Sequence, residues 1–229
     1  MIPLHDDNPT SIFPIVTIIF IAMCAAVFFW ELSLGPATEQ AFYSYGAIPA
    51  VVVGDKLLPP QVDVIPAWMT VFTSMFMHGG WMHIIGNMLY LWIFGNNVED
   101  AMGHSRFVVF YLVCGIAAFL AHALGDVNSQ IPTVGASGAI SGVLGAYLLL
   151  HPHARVLVAI PLGFIIHTTR LPAGIVLAFW FVLQLINSAI AAGDTGVAWG
   201  AHIGGFVAGM ALIPFFKYRR VKLFTQARK

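Results

Sequence analysis

The stretch that decides the fold runs from Gly135 to Leu150 and reads GASGAISGVLGAYLLL. Ser137 would stand in the first turn of an apolar helix, where free backbone N–H groups and the helix dipole favour a developing negative charge. From Ser137 to the break at His151-Pro152 this helix has about fourteen residues, or ~21 Å, against a hydrocarbon core of ~30 Å. We therefore expect Ser137 below the membrane surface, in a water-accessible cavity walled by protein. The pattern also fits a small-residue packing face whose serine bonds to its own helix.

The composition is that of an integral membrane protein. Of 229 residues, 59% are apolar and 9% are charged, whereas soluble domains carry roughly a quarter charged residues. The formal net charge of zero gives no support for nucleic-acid binding. Cys24 and Cys114 both fall in apolar segments, which favours small buried hydrophobes over a disulfide or a metal pair.

Six apolar segments predict an all-α polytopic membrane protein. They lie at about 12–31, 80–96, 106–124, 137–150, 172–192 and 199–216. We expect a single membrane domain over residues 1–216, followed by a basic tail at 217–229.

The basic residues predict the orientation. An even number of spans places both termini on one side of the membrane, and nine of the ten Lys and Arg residues then lie on that side, with Lys56 alone opposite. This positive-inside bias makes both termini cytoplasmic and puts Ser137, Asp126 and Asp194 in the outer half.

Two connections between the spans carry their own pattern. The connection over residues 35–79 is long, and it contains apolar residues at i, i+3, i+4, i+7 and i+8, namely Trp68, Val71, Phe72, Met75 and Phe76. This spacing predicts an amphipathic helix, which can lie in the bilayer interface or pack on its own protein. The stretch from Val156 to Ile166 is apolar, but it is short and broken by Pro161, so we expect an interfacial or re-entrant connector.

Polar residues stand inside two of the spans. His83 and Asn87 are four residues apart in the second span, hence on one helical face, and both are costly in a membrane unless they have partners or a task. Such a pair indicates either an interhelical hydrogen-bond site or a catalytic role. His202 opens the last span.

Glycines offer a way to bring the fourth and sixth spans together. Gly205 and Gly209 share a face with His202, and the short helix presents Gly138, Gly142 and Gly145. Small residues allow close helix approach, which would bring His202 within hydrogen-bond reach of Ser137, as an activated serine requires.

Other function classes fit less well. Residue 139 is Ala, so the stretch fails the G-x-S-x-G pattern of α/β-hydrolases. Nine histidines raise a metal, haem or transport protein as an alternative, but no H-E-x-x-H is present and His78 and His83 are five residues apart, which does not put both on one helical face. We therefore expect no cofactor and no metal.

Three elements coincide in chain order: His83-x-x-x-Asn87, Gly135-x-Ser137-Gly138 and Ala201-His202-x-x-Gly205. Together they resemble the rhomboid family of intramembrane serine proteases, over roughly residues 10–216. The resemblance implies a six-helix rhomboid-like bundle of the bacterial type, in the cytoplasmic (inner) membrane, with a membrane-associated loop between helices 1 and 2. A catalytically dead relative that escorts membrane proteins would be expected to lose the serine or the histidine, and both are present.

The resemblance also implies roles for individual residues. Ser137 would be the nucleophile and His202 the general base of a dyad. His83 and Asn87 would stabilise the oxyanion together with the Ser137 backbone N–H. Residues implied to be structural are Gly138, Gly142, Gly205, Gly209 and Glu99.

The implied substrates are single-span or polytopic membrane proteins, cut near the outer membrane boundary. The implied partners are thus these substrates and the lipid bilayer, with no nucleic acid. Two positions depart from the pattern that many members share. Met69 follows Trp68 where many have arginine, and Ser141 stands where many have an aromatic residue beneath the histidine.

Overall fold

The computed structural model of the chain describes residues 1–190 and 197–225. The helices are α1 (Ile15–Ser33), α2 (Thr38–Tyr45), α3 (Pro49–Val52), α4 (Ala67–Thr73), α5 (Trp81–Tyr90), α6 (Asn96–Met102), α7 (His104–Ala123), α8 (Ser137–Leu150), α9 (Ala173–Ile190) and α10 (Trp199–Phe216). The strands are β1 (Ile2–Asp6), β2 (Arg155–Leu162) and β3 (Ile165–Pro172).

The predicted bundle of membrane helices is confirmed. Within the described ranges, four helices are long and apolar enough to cross a membrane: α1, α7, α9 and α10. The helix α8 is shorter, at 14 residues, as its sequence predicts. The predicted second span is α5, which a π-helical turn at Leu91–Gly95 joins to α6, so this helical segment extends beyond residue 96.

Residues 156–166, expected to form a connector rather than a span, belong to a small β-sheet, so the fold is not purely helical. These residues form most of an antiparallel hairpin, in which β2 pairs with β3 across a turn at Gly163 with φ of 62°. The strand β1 pairs antiparallel with the other edge of β2. A short apolar run fits a strand as well as a helix, and the residue that settles the matter is Gly163, because its positive φ closes the hairpin.

A buried polar cluster fixes β1 beneath the helices. The carboxylate of Asp6 accepts hydrogen bonds from Tyr147 Oη at 2.7 Å and from Asn97 Nδ2 at 2.9 Å. Only 5% of Asp6 is exposed, and its burial raises its pKa above the ordinary value. The first strand is therefore tied both to the sheet and to the helix that carries Ser137.

Glu99 fastens the beginning of α1. Its fully buried carboxylate accepts hydrogen bonds from the backbone N–H groups of Val16 and Thr17 at 2.9 and 2.8 Å, and from the Thr17 hydroxyl at 2.7 Å. The first N–H groups of a helix have no partner within the helix. Glu99 supplies that partner from a distant part of the chain. The same carboxylate also lies 2.6 Å from His104 Nδ1.

The long connection between α1 and α5 is folded and attached to the bundle. Its amphipathic helix is α4, which continues as a 3-10 turn through Phe76. Val71 and Met75 of this segment are buried while Trp68 is 64% exposed. The segment thus packs on the protein with one face and leaves the Trp68 side chain exposed for the bilayer interface. An interfacial helix and a helix packed on its own protein are therefore compatible interpretations.

Candidate active site

Ser137 is the first residue of α8, and the backbone before it is fastened on two sides. The Gly135 N–H donates to the carbonyl of Ser74 at 2.8 Å, and Thr133 forms an antiparallel bridge with Ala47. Gly135 has φ of 127°, and a Cβ there would lie 2.6 Å from His83 Nε2. The position requires glycine both for its backbone conformation and for its closeness to His83.

Close packing of α8 and α10 brings the serine to the histidine. A Cβ on Gly205 would collide with the carbonyl oxygen of Gly138, and one on Gly209 with the backbone of Gly142. The predicted glycine faces therefore do meet. Where both helices begin, His202 Nε2 lies 2.8 Å from Ser137 Oγ, within hydrogen-bond distance.

The other side of the His202 ring is held by α9 and by its own helix. Nδ1 lies 2.9 Å from Oε1 of Gln184. The ring centroids of Trp180 and Trp199 lie 6.0 and 5.9 Å from that of His202. A histidine with one nitrogen on a hydroxyl and the other on a fixed acceptor has the arrangement of a general base.

His83 and Asn87 lie on α5 across the same cavity. Nδ1 of His83 accepts a hydrogen bond from the Gly79 N–H at 3.3 Å, so the proton of the neutral ring is on Nε2, the nitrogen nearest Gly135. Asn87 is 8% exposed, and its Nδ2 has no hydrogen-bond partner in the described part of the chain. Both side chains can therefore donate hydrogen bonds to a negatively charged oxygen in the cavity.

The cavity has a volume of about 860 Å³ and is lined from α5, α7, α8, α9, α10 and the α4 segment. Ser137, His202, His83 and Asn87 all line it, as do Met82 and other apolar side chains. Just before α5 begins, the His78 N–H donates at 3.2 Å to the buried carboxylate of Glu31 in α1.

A family model described as the Rhomboid domain matches residues 66–219. The chain belongs to the rhomboid family. "Rhomboid protease GluP" of Bacillus subtilis is 31% identical over 200 residues, which are 87% of this rhomboid and 35% of that protein. "Rhomboid protein 1, mitochondrial" of Saccharomyces cerevisiae is 31% identical over 164 residues, 68% of this chain and 44% of the yeast protein. This rhomboid thus spans less than half the length of either relative.

A third relative is of more similar length. "Putative rhomboid protease YdcA" of Bacillus subtilis is 26% identical over 178 residues, which cover 75% of this rhomboid and 79% of that protein.

The structure brings the expected residues of this rhomboid together and separates others. One cavity is lined by Ser137, His202, His83 and Asn87. The carboxylate of Glu99 instead accepts hydrogen bonds from the first turn of α1. Asp194 lies outside the described residues. Among residues 1–190 and 197–225, no group of three or more His, Cys, Asp or Glu side chains is placed to hold a metal ion.

Gln184 was missed by the sequence analysis. Its signal was present, because an amide inside an otherwise apolar helix is costly in a membrane without a partner. Ser141, which replaces the usual aromatic residue, donates to the carbonyl of Ser137 at 2.6 Å. In this rhomboid, Trp180, Trp199 and Gln184 surround the histidine instead.

At the other departure, Met69, the loop is fastened through Thr73 and Ala47, since the Thr73 hydroxyl donates to the Tyr45 carbonyl at 2.5 Å.

Proposed function

We propose that this rhomboid is an intramembrane serine endopeptidase that hydrolyses transmembrane segments with a Ser137–His202 dyad. The observation that carries the proposal is the 2.8 Å contact between Ser137 Oγ and His202 Nε2 at the wall of a cavity. Membership of the rhomboid family and the printed names of GluP and YdcA support it. No intramembrane carboxylate is needed, because a neutral imidazole can accept the serine proton.

In the proposed reaction Ser137 Oγ attacks the carbonyl carbon of the scissile peptide while His202 Nε2 accepts the hydroxyl proton. The carbonyl oxygen becomes negatively charged and receives hydrogen bonds from His83, Asn87 and the backbone N–H of Ser137. The carbon–nitrogen bond then breaks, and the leaving amine takes the proton from His202. Water attacks the acyl-enzyme by the same route, which releases the carboxylate product and restores the serine.

The proposed substrates are transmembrane segments, because Ser137 is expected to lie below the membrane surface. A helical segment hides its carbonyl groups in its own hydrogen bonds, so it must unwind before attack. We expect substrates to contain helix-breaking residues near the scissile bond, with small side chains beside the tight turn that precedes Ser137, and to be cut near the outer boundary of the membrane.

The experiment is labelling of the purified protein with a fluorophosphonate, read by intact mass and by peptide mapping. The wild type should gain one label on Ser137, and Ser137→Ala and His202→Ala should gain none. Candidate single-span proteins co-expressed with the wild type should be cut, and neither variant should cut them. Because nucleophile and base act as a unit, the double variant should be no worse than either single one. Substantial cleavage by folded Ser137→Ala would refute the proposal, and a metal, transport or escort protein would not label.

A further inference from the structure

Gln184 is a buried amide in the middle of α9, with 6% of its surface exposed. Its Oε1 lies 2.9 Å from Nδ1 of His202, and its Nε2 lies 3.1 Å from the carbonyl oxygen of Trp180. We infer that Gln184 is a positioning residue that sets the tautomer of His202, so that the lone pair on Nε2 faces Ser137. The inference rests on the proposed function and adds to it a residue outside the dyad and the oxyanion donors.

The orientation of the amide follows from its second contact. A backbone carbonyl only accepts hydrogen bonds, so the Gln184 atom facing the Trp180 oxygen is the NH₂ group. The atom facing His202 is then the amide oxygen, which also only accepts. Nδ1 must therefore carry the ring proton for this pair to form a hydrogen bond.

The tautomer decides whether the histidine can act as a base. With the proton on Nδ1, Nε2 has a free lone pair 2.8 Å from the Ser137 hydroxyl, which can donate to it. With the proton on Nε2, the lone pair of Nδ1 would oppose that of Gln184 Oε1, and Ser137 would lose its proton acceptor. The buried amide disfavours this second state, because an unmade hydrogen bond inside the protein costs more than one in water.

The surroundings of the ring leave this task to the amide. Trp180 and Trp199 contact His202 through their rings, which limits tilting of the imidazole without choosing between its nitrogens. Ser141, the residue one turn after the nucleophile, is hydrogen-bonded to its own helix. The tryptophans thus limit the tilt of the imidazole ring, and Gln184 determines which ring nitrogen carries the proton.

Labelling kinetics with an alkyl fluorophosphonate give the first test. The measured quantities are the maximal rate of Ser137 modification and the probe concentration at half that rate, in wild type, Gln184→Leu and Gln184→Glu. Gln184→Leu removes the acceptor at similar size and should lower the maximal rate roughly tenfold, with little change in the half-saturating concentration. Gln184→Glu keeps an acceptor oxygen and should retain most of the rate.

The matched control is Asn187→Leu, which removes an amide one turn further along α9 and should stay within about twofold of wild type. Equal loss in Gln184→Leu and Gln184→Glu would show that an acceptor oxygen at this position does not preserve the rate, which would overturn the inference, and so would wild-type rates in Gln184→Leu.

A spectroscopic test reports on the proton itself. In protein labelled with ¹⁵N-histidine, the His202 signals are assigned by their loss in His202→Ala. The wild type should show a protonated Nδ1 and an unprotonated Nε2, and Gln184→Leu should show a mixture of both tautomers. A protonated Nε2 in the wild type, or an unchanged spectrum in folded Gln184→Leu, would overturn the inference.

The inference and the proposed function fail separately. If His202→Ala still labels at the wild-type rate, the dyad is refuted. If His202→Ala is inert while Gln184→Leu behaves as wild type, the dyad stands and the role of Gln184 falls.

Discussion

At the scale of single residues, the amide of Asn87 is a donor without a partner in the described chain. We expect Asn87→Ala and His83→Ala each to remove about 2–4 kcal/mol of transition-state stabilisation. Turnover should therefore fall, with smaller effects on substrate affinity. The measurement is kcat and KM in proteoliposomes beside the melting temperature in detergent. Because the Nδ2 group makes no hydrogen bond to lose, Asn87→Ala should melt close to wild type. Normal turnover in the folded variants would contradict the donor role, and a melting temperature that falls in step with activity would indicate a structural role.

Residue-scale prediction from the sequence is possible where spacing carries the information. His83 and Asn87 share a helical face by their separation alone, and the structure places them on one cavity. Gln184 has its partner His202 on another helix, and no local spacing relates two helices. The place of Ser141 is a similar case, since the residues that surround the histidine come from α9 and α10 rather than from the turn after Ser137.

At the scale of elements, the contact between α8 and α10 sets the distance between nucleophile and base. Gly205→Val or Gly209→Val would force a branched side chain against the backbone of α8. A displacement of about 1 Å between reacting groups can cost ~100-fold in rate, so both variants should lose fluorophosphonate labelling while remaining monodisperse in detergent. Ala211→Val, at an exposed position of the same helix, is the control and should label normally. Wild-type labelling in both glycine variants would contradict this account of the packing.

The attachment of β1 should make stability depend on pH through Asp6. Burial raises the pKa of Asp6, so the folded chain keeps this proton at pH values where the unfolded chain has lost it. The contribution of Asp6 to stability is thus present at low pH and is lost as the pH rises from ~4 through the raised value. The melting temperature of the wild type minus that of Asp6→Asn should fall over this window.

A second variant separates burial from hydrogen bonding at this site. The hydrogen bond from Tyr147 lowers the pKa of Asp6, so Tyr147→Phe should extend the same decline to higher pH. A difference between wild type and Asp6→Asn that does not change with pH would show that Asp6 titrates alike in the folded and unfolded chain.

The sheet marks the limit of prediction at this scale. The helices were predictable because long apolar runs have few alternatives in a membrane. The strand β1 depends on a pairing between residues far apart in the sequence, such as Ile2 with Ala159. The short β1 contains Pro3 and His5 and has no strand pattern of its own until β2 lies beside it.

At the scale of the whole molecule, the orientation in the membrane remains a prediction from the charge distribution. We expect both termini in the cytoplasm and residues 35–79 on the outer side, because basic residues are retained inside. After Lys229, a reporter that works only in the cytoplasm should be active. Within residues 54–63, a reporter that works only outside the cytoplasm should be active. Activity of an export-dependent reporter after Lys229 would reverse the arrangement.

The pairing of β1 also sets an order of assembly. Asp6 of β1 and the following Asp7 accept hydrogen bonds from Tyr147 and Arg170, which lie 141 and 163 residues further along the chain. At a synthesis rate of about 5–20 residues per second, this strand waits roughly 10–30 s for its partners to be made. Contacts of such long range close late in folding. The contacts of β1 can therefore form only after the helix that bears Ser137 and the β2–β3 hairpin have been synthesised.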